Sequence, residues 1–129
     1  MNPLYATTKK GTLGELLVQL RLLEYDVQAA PPVKDSGNDL IAIRGQEFRA
    51  VQVRTTSGNT ISKPKKSIDY HILAVVRLPR MRRRFSTQNA EVFLFSREEV
   101  PQLSRRLSKY PEHALSEQLI DRLFNGHAG

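Results

Sequence analysis

The chain has 129 residues, 40% of them hydrophobic, no cysteine and a formal net charge of +7. That length suits one domain with one core; the lack of Cys excludes a disulfide framework or thiolate metal site and favours an intracellular, cytoplasmic setting. The opening residues carry no charged-then-apolar signal pattern, and the longest apolar run, residues 72–76, is far too short to span a membrane. The charge is also uneven. Residues 1–47 hold five Lys/Arg against six Asp/Glu and residues 91–129 five against six, whereas residues 48–90 hold ten against the single Asp69. Basicity confined to the middle third builds a directional positive field, which points to a polyanionic partner.

In chain order, Leu13, Leu16, Leu17, Leu20 and Leu23 follow helical spacing, with Val18 and Leu22 as a second apolar stripe, and predict a helix over residues 8–24 buried on two sides. Glu15 belongs to the second stripe, so a carboxylate ends an apolar face; alternatively Thr12-Leu13-Gly14-Glu15 is a capping box and Glu15 merely closes the first turn. A short strand, 27–30, stops at Pro31-Pro32. A polar turn, 34–38, follows, in which Gly37 relieves the backbone.

Residues 39–44 and 47–55 then read as two strands joined at Gly45-Gln46, a loop suited to a type II′ turn. With that turn Arg44 faces Glu47 and Asp39 lies across from Gln52. Alternation puts Asp39, Ile41 and Ile43 on one face with Phe48, Ala50, Gln52 and Arg54. That face is expected to be core-facing, apolar near the turn and polar at its open rim. There Cβ atoms roughly 5 Å apart bring an Asp, a Gln and an Arg together. Unpaired, such a cluster is destabilising; a rim salt bridge between Asp39 and Arg54 is the plainer reading.

The segment 57–67, with Lys63, Lys65 and Lys66 around Pro64, reads as a mobile loop. Residues 70–78 form the near-continuous apolar run of a central strand covered on both faces. Arg80, Arg82, Arg83 and Arg84 fill the next connection, either as a solvated tip or as phosphate contacts. A last strand, 91–95, leads to Ser96-Arg97-Glu98-Glu99, a second capping box expected to open a helix to about residue 107. A final helix is expected over 111–124, ending near Gly126. The sum is an α/β layered domain, its core at about 8–95 with C-terminal helices at 97–124, built on a mixed sheet of about four or five strands flanked by helices. Asp35 fits turn geometry better than a second acid role. His71 fits a packed, hydrogen-bonded role, and the three His show no zinc spacing.

The succession Gly14-Glu15, Leu22-Leu23-Glu24-Tyr25-Asp26-Val27, Gly37-Asn38-Asp39-Leu40-Ile41-Ala42 and Val51-Gln52-Val53-Arg54 resembles the PD-(D/E)XK nuclease superfamily over about residues 8–80. It is most similar to the branch holding archaeal Holliday junction resolvases and an intron-encoded homing endonuclease with Gln for the second acid. The resemblance implies a restriction-endonuclease-like layered fold and a catalytic set of Glu15, Asp39, Gln52 and Arg54. Glu15, Asp39 and Gln52 would hold Mg²⁺, with Mn²⁺ as an alternative, and no organic cofactor is implied. It implies DNA as partner and a homo-oligomer; by their charge pattern Lys63, Lys65, Lys66, Arg80, Arg82, Arg83 and Arg84 are the residues expected to contact it.

Two carboxylates and a neutral amide oxygen are hard ligands suited to Mg²⁺. Arg54 departs from the family Lys: it stays protonated and can hold a phosphate but cannot act as a base. Lys9, Lys10 or the Lys63 loop could stand in. Three functions therefore stand: a metal-dependent endodeoxyribonuclease on branched or site-specific DNA, a nuclease-fold module that binds nucleic acid without cutting it, and an interaction domain for an acidic protein.

Overall fold

The computed structural model describes residues 6–33 and 37–125. Helix α1 spans Ala6–Leu23, so Thr12 and Glu15 both lie inside it and the capping-box reading of Glu15 falls. Leu17, Val18 and Leu22 are buried and Leu13 packs beside them. Leu16, Leu20 and Leu23 are 53%, 53% and 57% exposed, so the helix is buried on one side and not on two. Its end is a Schellman arrangement: Val27 N donates to Leu22 O at 3.0 Å and Asp26 N to Leu23 O at 3.0 Å. Asp26 takes the left-handed conformation, φ 63°, that glycine usually supplies. The accompanying apolar pair, Leu22 with Val27, is fully buried and turns the chain into the sheet.

The strands are β1 (Gln28–Ala30), β2 (Leu40–Arg44), β3 (Glu47–Thr56), β4 (Ile72–Arg77), β5 (Arg80–Met81), β6 (Arg84–Phe85) and β7 (Glu91–Ser96). Five of them form a mixed sheet ordered β1-β2-β3-β4-β7, and β5 with β6 makes a separate two-stranded ribbon. Only β3 and β4 run parallel; the other neighbours in the five-stranded sheet are antiparallel. In the β2–β3 hairpin Arg44 faces Glu47 and Leu40 faces Val51, as the Gly45-Gln46 turn predicts. Gly45 has φ 61°, and a positive φ at the first loop position alone is the mark of a type II′ turn.

Helix α2 (Glu117–Leu123) and α1 cover the same face of the sheet, over Leu40, Ala42, Val51, Val53, Ile72, Ala74 and Val76. This corrects the expected orientation of the hairpin. Its core face carries Leu40, Ala42, Val51 and Val53, while on the Asp39/Gln52 face Phe48 is 60% exposed and Ile41, Ile43 and Ala50 are only half-buried. The opposite layer reaches only Leu73, Val75, Phe93 and Phe95. Strand β4 is therefore buried on both sides, as its unbroken apolar run predicts.

That opposite layer differs most from expectation. In place of a helix after Ser96, a 3-10 turn runs Val100–Gln102, followed by single 3-10 turns at Leu107–Lys109 and Pro111–His113. Half of the capping box is present, since Ser96 N donates to Glu99 Oε1 at 2.9 Å. Propagation fails because Pro101 has no N–H to give to Arg97 O. The chain is drawn instead into a bridge between Thr60 and Arg106, with Ile61 N donating to Arg105 O at 2.7 Å. The expected helix over 111–124 is likewise interrupted, because Ala114 bridges Phe93 and Leu115 N donates to Val92 O, covering the β7 edge. Only α2 remains, capped by Ser116 Oγ accepting from Leu119 N at 3.1 Å. Gly126 lies outside the described residues. The expected loop over 57–67 is irregular and mostly exposed, anchored by buried Ile61 and Pro64 and by Leu107 N donating to Asn59 O.

Candidate active site

The site sits where β2 parts from β3. Pairing ends at Leu40 opposite Val51, so Val53 N lacks a strand partner on that side. Asp39 supplies one: its Oδ2 accepts from Val53 N at 2.7 Å while its own N donates to Val51 O. The carboxylate is thus fixed by the fork it closes. Gln52, one residue before, is 2% exposed and donates from Nε2 to Gly37 O at 2.6 Å and Asn38 Oδ1 at 3.2 Å. Those bonds leave its Oε1 facing Arg54, whose Nη1 lies 3.3 Å away. The same Nη1 is 4.0 Å from Asp39 Oδ2. Gly37, φ 84°, gives the chain the left-handed turn that presents Asn38 and Asp39 here.

Glu15 arrives from the other side of the sheet. A Cβ at Gly14 would stand 1.9 Å from Thr55 Oγ1 and 3.1 Å from Thr55 Cβ, so α1 rests directly on β3 at this point. Glu15 follows immediately. Burial pushes its carboxyl above the ordinary range, and the negative charge of Asp39 pushes it further in the same direction. The two carboxylates thus repel one another across the edge of the sheet.

Asp39, Gln52 and Arg54 therefore gather at the fork, and Glu15 on α1 lies near enough for the charge of Asp39 to reach it. Among the described residues no group of three or more His, Cys, Asp or Glu stands together as a metal cluster. Mg²⁺ does not require one, since it commonly takes one or two carboxylates, keeps several waters and completes its shell with substrate phosphate. Asp35 and Lys34 lie outside the described residues, and Lys9 lies exposed on α1. Sequence reasoning missed Asn38 and Gly14. The signal for Gly14 was a glycine inside a helical pattern, which lowers helix stability unless close packing demands it. It also missed Tyr70, whose hydroxyl is held above its ordinary range by burial, against the opposing charges of Arg97 and Arg54.

His71 is exposed and not packed, but it is hydrogen-bonded: Ala50 N donates to its Nδ1 at 2.8 Å, and His71 N donates to Ala50 O. A cavity of about 470 Å³ beside it is lined by Arg49, Arg97 and Arg122 among others. These arginines are committed elsewhere: Arg97 to Asp69, Arg122 to Glu99, and Arg49 to Leu123 O and Asn125 O.

The predicted basic surface divides in two. Lys63, Lys65 and Lys66 are all exposed, but Lys63 Nζ is tethered to the C-terminal layer by donating to Pro101 O at 3.1 Å. Arg80, Arg82, Arg83 and Arg84 are all exposed on the β5–β6 ribbon. The predicted plain connection is therefore a small hairpin.

No family model and no curated protein matches the chain. Among solved structures it is similar to a bacterial homing endonuclease, I-Ssp6803I, with 17% sequence identity and a TM-score of 0.48 over 88% of this chain and 80% of that one. At that level the likeness carries no argument about site or activity. What the fold and site define by themselves is an α/β layered domain with a mixed five-stranded sheet. At one fork of that sheet the Asp39 carboxylate and the buried Gln52 amide meet Arg54. Among the described residues no helix is long and apolar enough to cross a membrane.

Proposed function

We propose that the chain is a divalent-metal-dependent endonuclease that hydrolyses phosphodiester bonds in DNA, with a branched or site-specific substrate. The observation that carries this reading is the cluster of Asp39, Gln52 and Arg54 at the sheet fork, with Glu15 on α1 close enough for the charge of Asp39 to raise its carboxyl. When bound, Mg²⁺ or Mn²⁺ would lower the pKa of a bound water and stabilise charge on the phosphodiester. The protein's own share is positional. Glu15 and Asp39 would hold the metal, with Gln52 Oε1 as the neutral third donor. Arg54 would hold a non-bridging phosphate oxygen as a permanent cation, and Lys9, Lys10 or the Lys63 loop would stand in for the family Lys.

A second reading has its own support. The Arg54 guanidinium already lies 3.3 Å from Gln52 Oε1 and 4.0 Å from Asp39 Oδ2. A resident cation in that place suits a module that binds nucleic acid without cutting it. Incubating the purified chain with supercoiled plasmid and a four-way junction, with Mg²⁺, Mn²⁺ or EDTA, tests both. Metal-dependent nicking supports the first reading, and tight binding with intact substrate under every condition selects the second. The expected homo-oligomer would use the exposed Leu16, Leu20 and Leu23 stripe of α1, an apolar strip of the kind that marks association surfaces.

A further inference from the structure

The arginines of this molecule fall into two groups. Arg21, Arg44, Arg49, Arg54, Arg77, Arg97 and Arg122 each pair with a carboxylate. Among the described residues Arg80, Arg82, Arg83, Arg84, Arg105 and Arg106 have no ion pair; Arg105 and Arg106 lie on the C-terminal layer, whereas Arg82, Arg83 and Arg84 are exposed together on one small ribbon. The ribbon is rigid at its base. Phe85 packs against the core, Arg80 lies over its ring at 5.1 Å, and Ser86 N donates to Pro79 O at 2.7 Å. Pairing of Arg80 with Phe85 and of Met81 with Arg84 leaves Arg82 and Arg83 as a two-residue tip.

The tip carries a second mark. Arg82 has φ 58°, the conformation that Gly45 adopts at the same position of the β2–β3 turn. Glycine takes it freely, whereas an L side chain there is strained. Glycine would serve the turn with less strain, so an Arg held in this conformation points to a use for its side chain. The ribbon also leaves the sheet at the site's end. Arg80 follows Val75 by five residues, and Val75 pairs with Arg54. About 17 Å of extended chain therefore separates them at most, the length of about five base-pair steps.

Resting on the DNA reading above, we propose that the β5–β6 ribbon enters the major groove of duplex DNA and that Arg82 and Arg83 read guanine edges there, rather than serving as general phosphate contacts. A two-stranded ribbon fits that groove, and Arg donating to guanine O6 and N7 is the commonest specific contact made in it. Exposed Met81, at 59%, adds an apolar contact suited to a thymine methyl.

The test is selection from a pool of duplexes with a randomised centre, run in EDTA so that cleavage plays no part, with wild type, Arg82→Gly and Arg83→Ala. Arg82→Gly relaxes the turn while removing the side chain, so its effect cannot be assigned to a collapsed ribbon. Wild type should enrich guanine at defined positions, and each variant should lose the preference at one of them by about 5- to 150-fold. Replacing the selected guanines by 7-deazaguanine should weaken wild type by a similar factor and leave the matching variant unchanged. Duplex binding with no base preference, or variants that weaken all sequences equally and keep the same preference, would overturn the ribbon proposal while leaving the nuclease reading intact. Failure of wild type to bind any duplex at low salt overturns both. Binding and selection without cleavage in Mg²⁺ overturns the nuclease reading alone.

Discussion

Gly14 and Thr55 touch so closely that a methyl group on the former would stand 1.9 Å from the hydroxyl of the latter. The contact fixes how far Glu15 reaches over β3. Gly14→Ala should therefore destabilise the fold by about 1–3 kcal/mol through overpacking, despite the better helix propensity of Ala. Thr55→Ala in the same chain should restore most of the loss. Urea unfolding of the four proteins in the cycle checks this, and additive losses would show that the two positions do not meet.

Glu15 has its carboxyl raised, first by burial and then by Asp39. A group whose folded-state pKa lies above its unfolded one opposes folding once it ionises, so the penalty is absent at low pH and grows as pH rises through the usual carboxylate value. Glu15→Gln should accordingly raise the thermal midpoint at pH 7 in EDTA and leave it unchanged near pH 3. Millimolar Mg²⁺ should narrow the difference by stabilising wild type. A lower midpoint for the variant at pH 7 without metal would contradict the electrostatic account.

Asp39→Asn should reduce metal-dependent cleavage at least about 100-fold, as loss of a principal ligand does, while DNA affinity stays the same or improves because a negative charge near the phosphates has gone. Arg54→Lys should keep or raise cleavage, and Arg54→Ala should lower it. If wild type nicks nothing with any divalent ion, Arg54→Ala should instead lower only DNA affinity. Parallel nicking and binding assays on the four proteins decide; full cleavage by Asp39→Asn would remove Asp39 from the site.

Glu99 holds the C-terminal layer together. Burial works against its charge, but bonds from His113 Nε2 at 2.8 Å and from Ser96, with Arg122 nearby, outweigh it and bring the carboxyl down to about 2. Its contribution is present above the ordinary value of about 4.5 and should be lost as pH falls from there toward 2. Glu99→Gln should thus be less stable than wild type at pH 6, with the difference vanishing near pH 2. Chemical denaturation across that range measures it, and a gap that persists at pH 2 would point to packing.

Leu20→Glu, in the middle of the exposed α1 stripe, should leave the monomer fold intact and shift any oligomer toward monomer in sedimentation velocity. An oligomer of unaltered affinity would place the interface elsewhere.

The site was legible where local rules decide it. A two-residue turn opening on Gly45 sets the parity of the hairpin, and parity alone puts Asp39 and Gln52 on one side of the sheet. Glu15 was harder to place, because a capping box and a site residue share one spelling and only the true start of α1 separates them. The C-terminal third was misread as two helices for a related reason. Ser96 and Glu99 do make the local bond that their spacing announces, but Pro101 and bonding of 105–107 to 59–61 stop the helix there. The core face of the hairpin could not be read from alternation, because both faces carry apolar residues and only the placement of α1 selects one.

The layer over Leu73 and Val75 has a consequence for how the protein is made. Val100, Leu103 and Leu107 cover those residues, and the 57–67 segment is bonded to 105–107. A ribosome adding about 5–20 residues per second needs roughly 2–6 s between Val75 and Leu107. Through that interval the most apolar strand of the chain has half its surface bare. Once β4 has left the ribosome it stays half bare until Val100 to Leu107 follow it out, so slower translation downstream of β4 is expected to lower the yield of folded protein without altering a single residue.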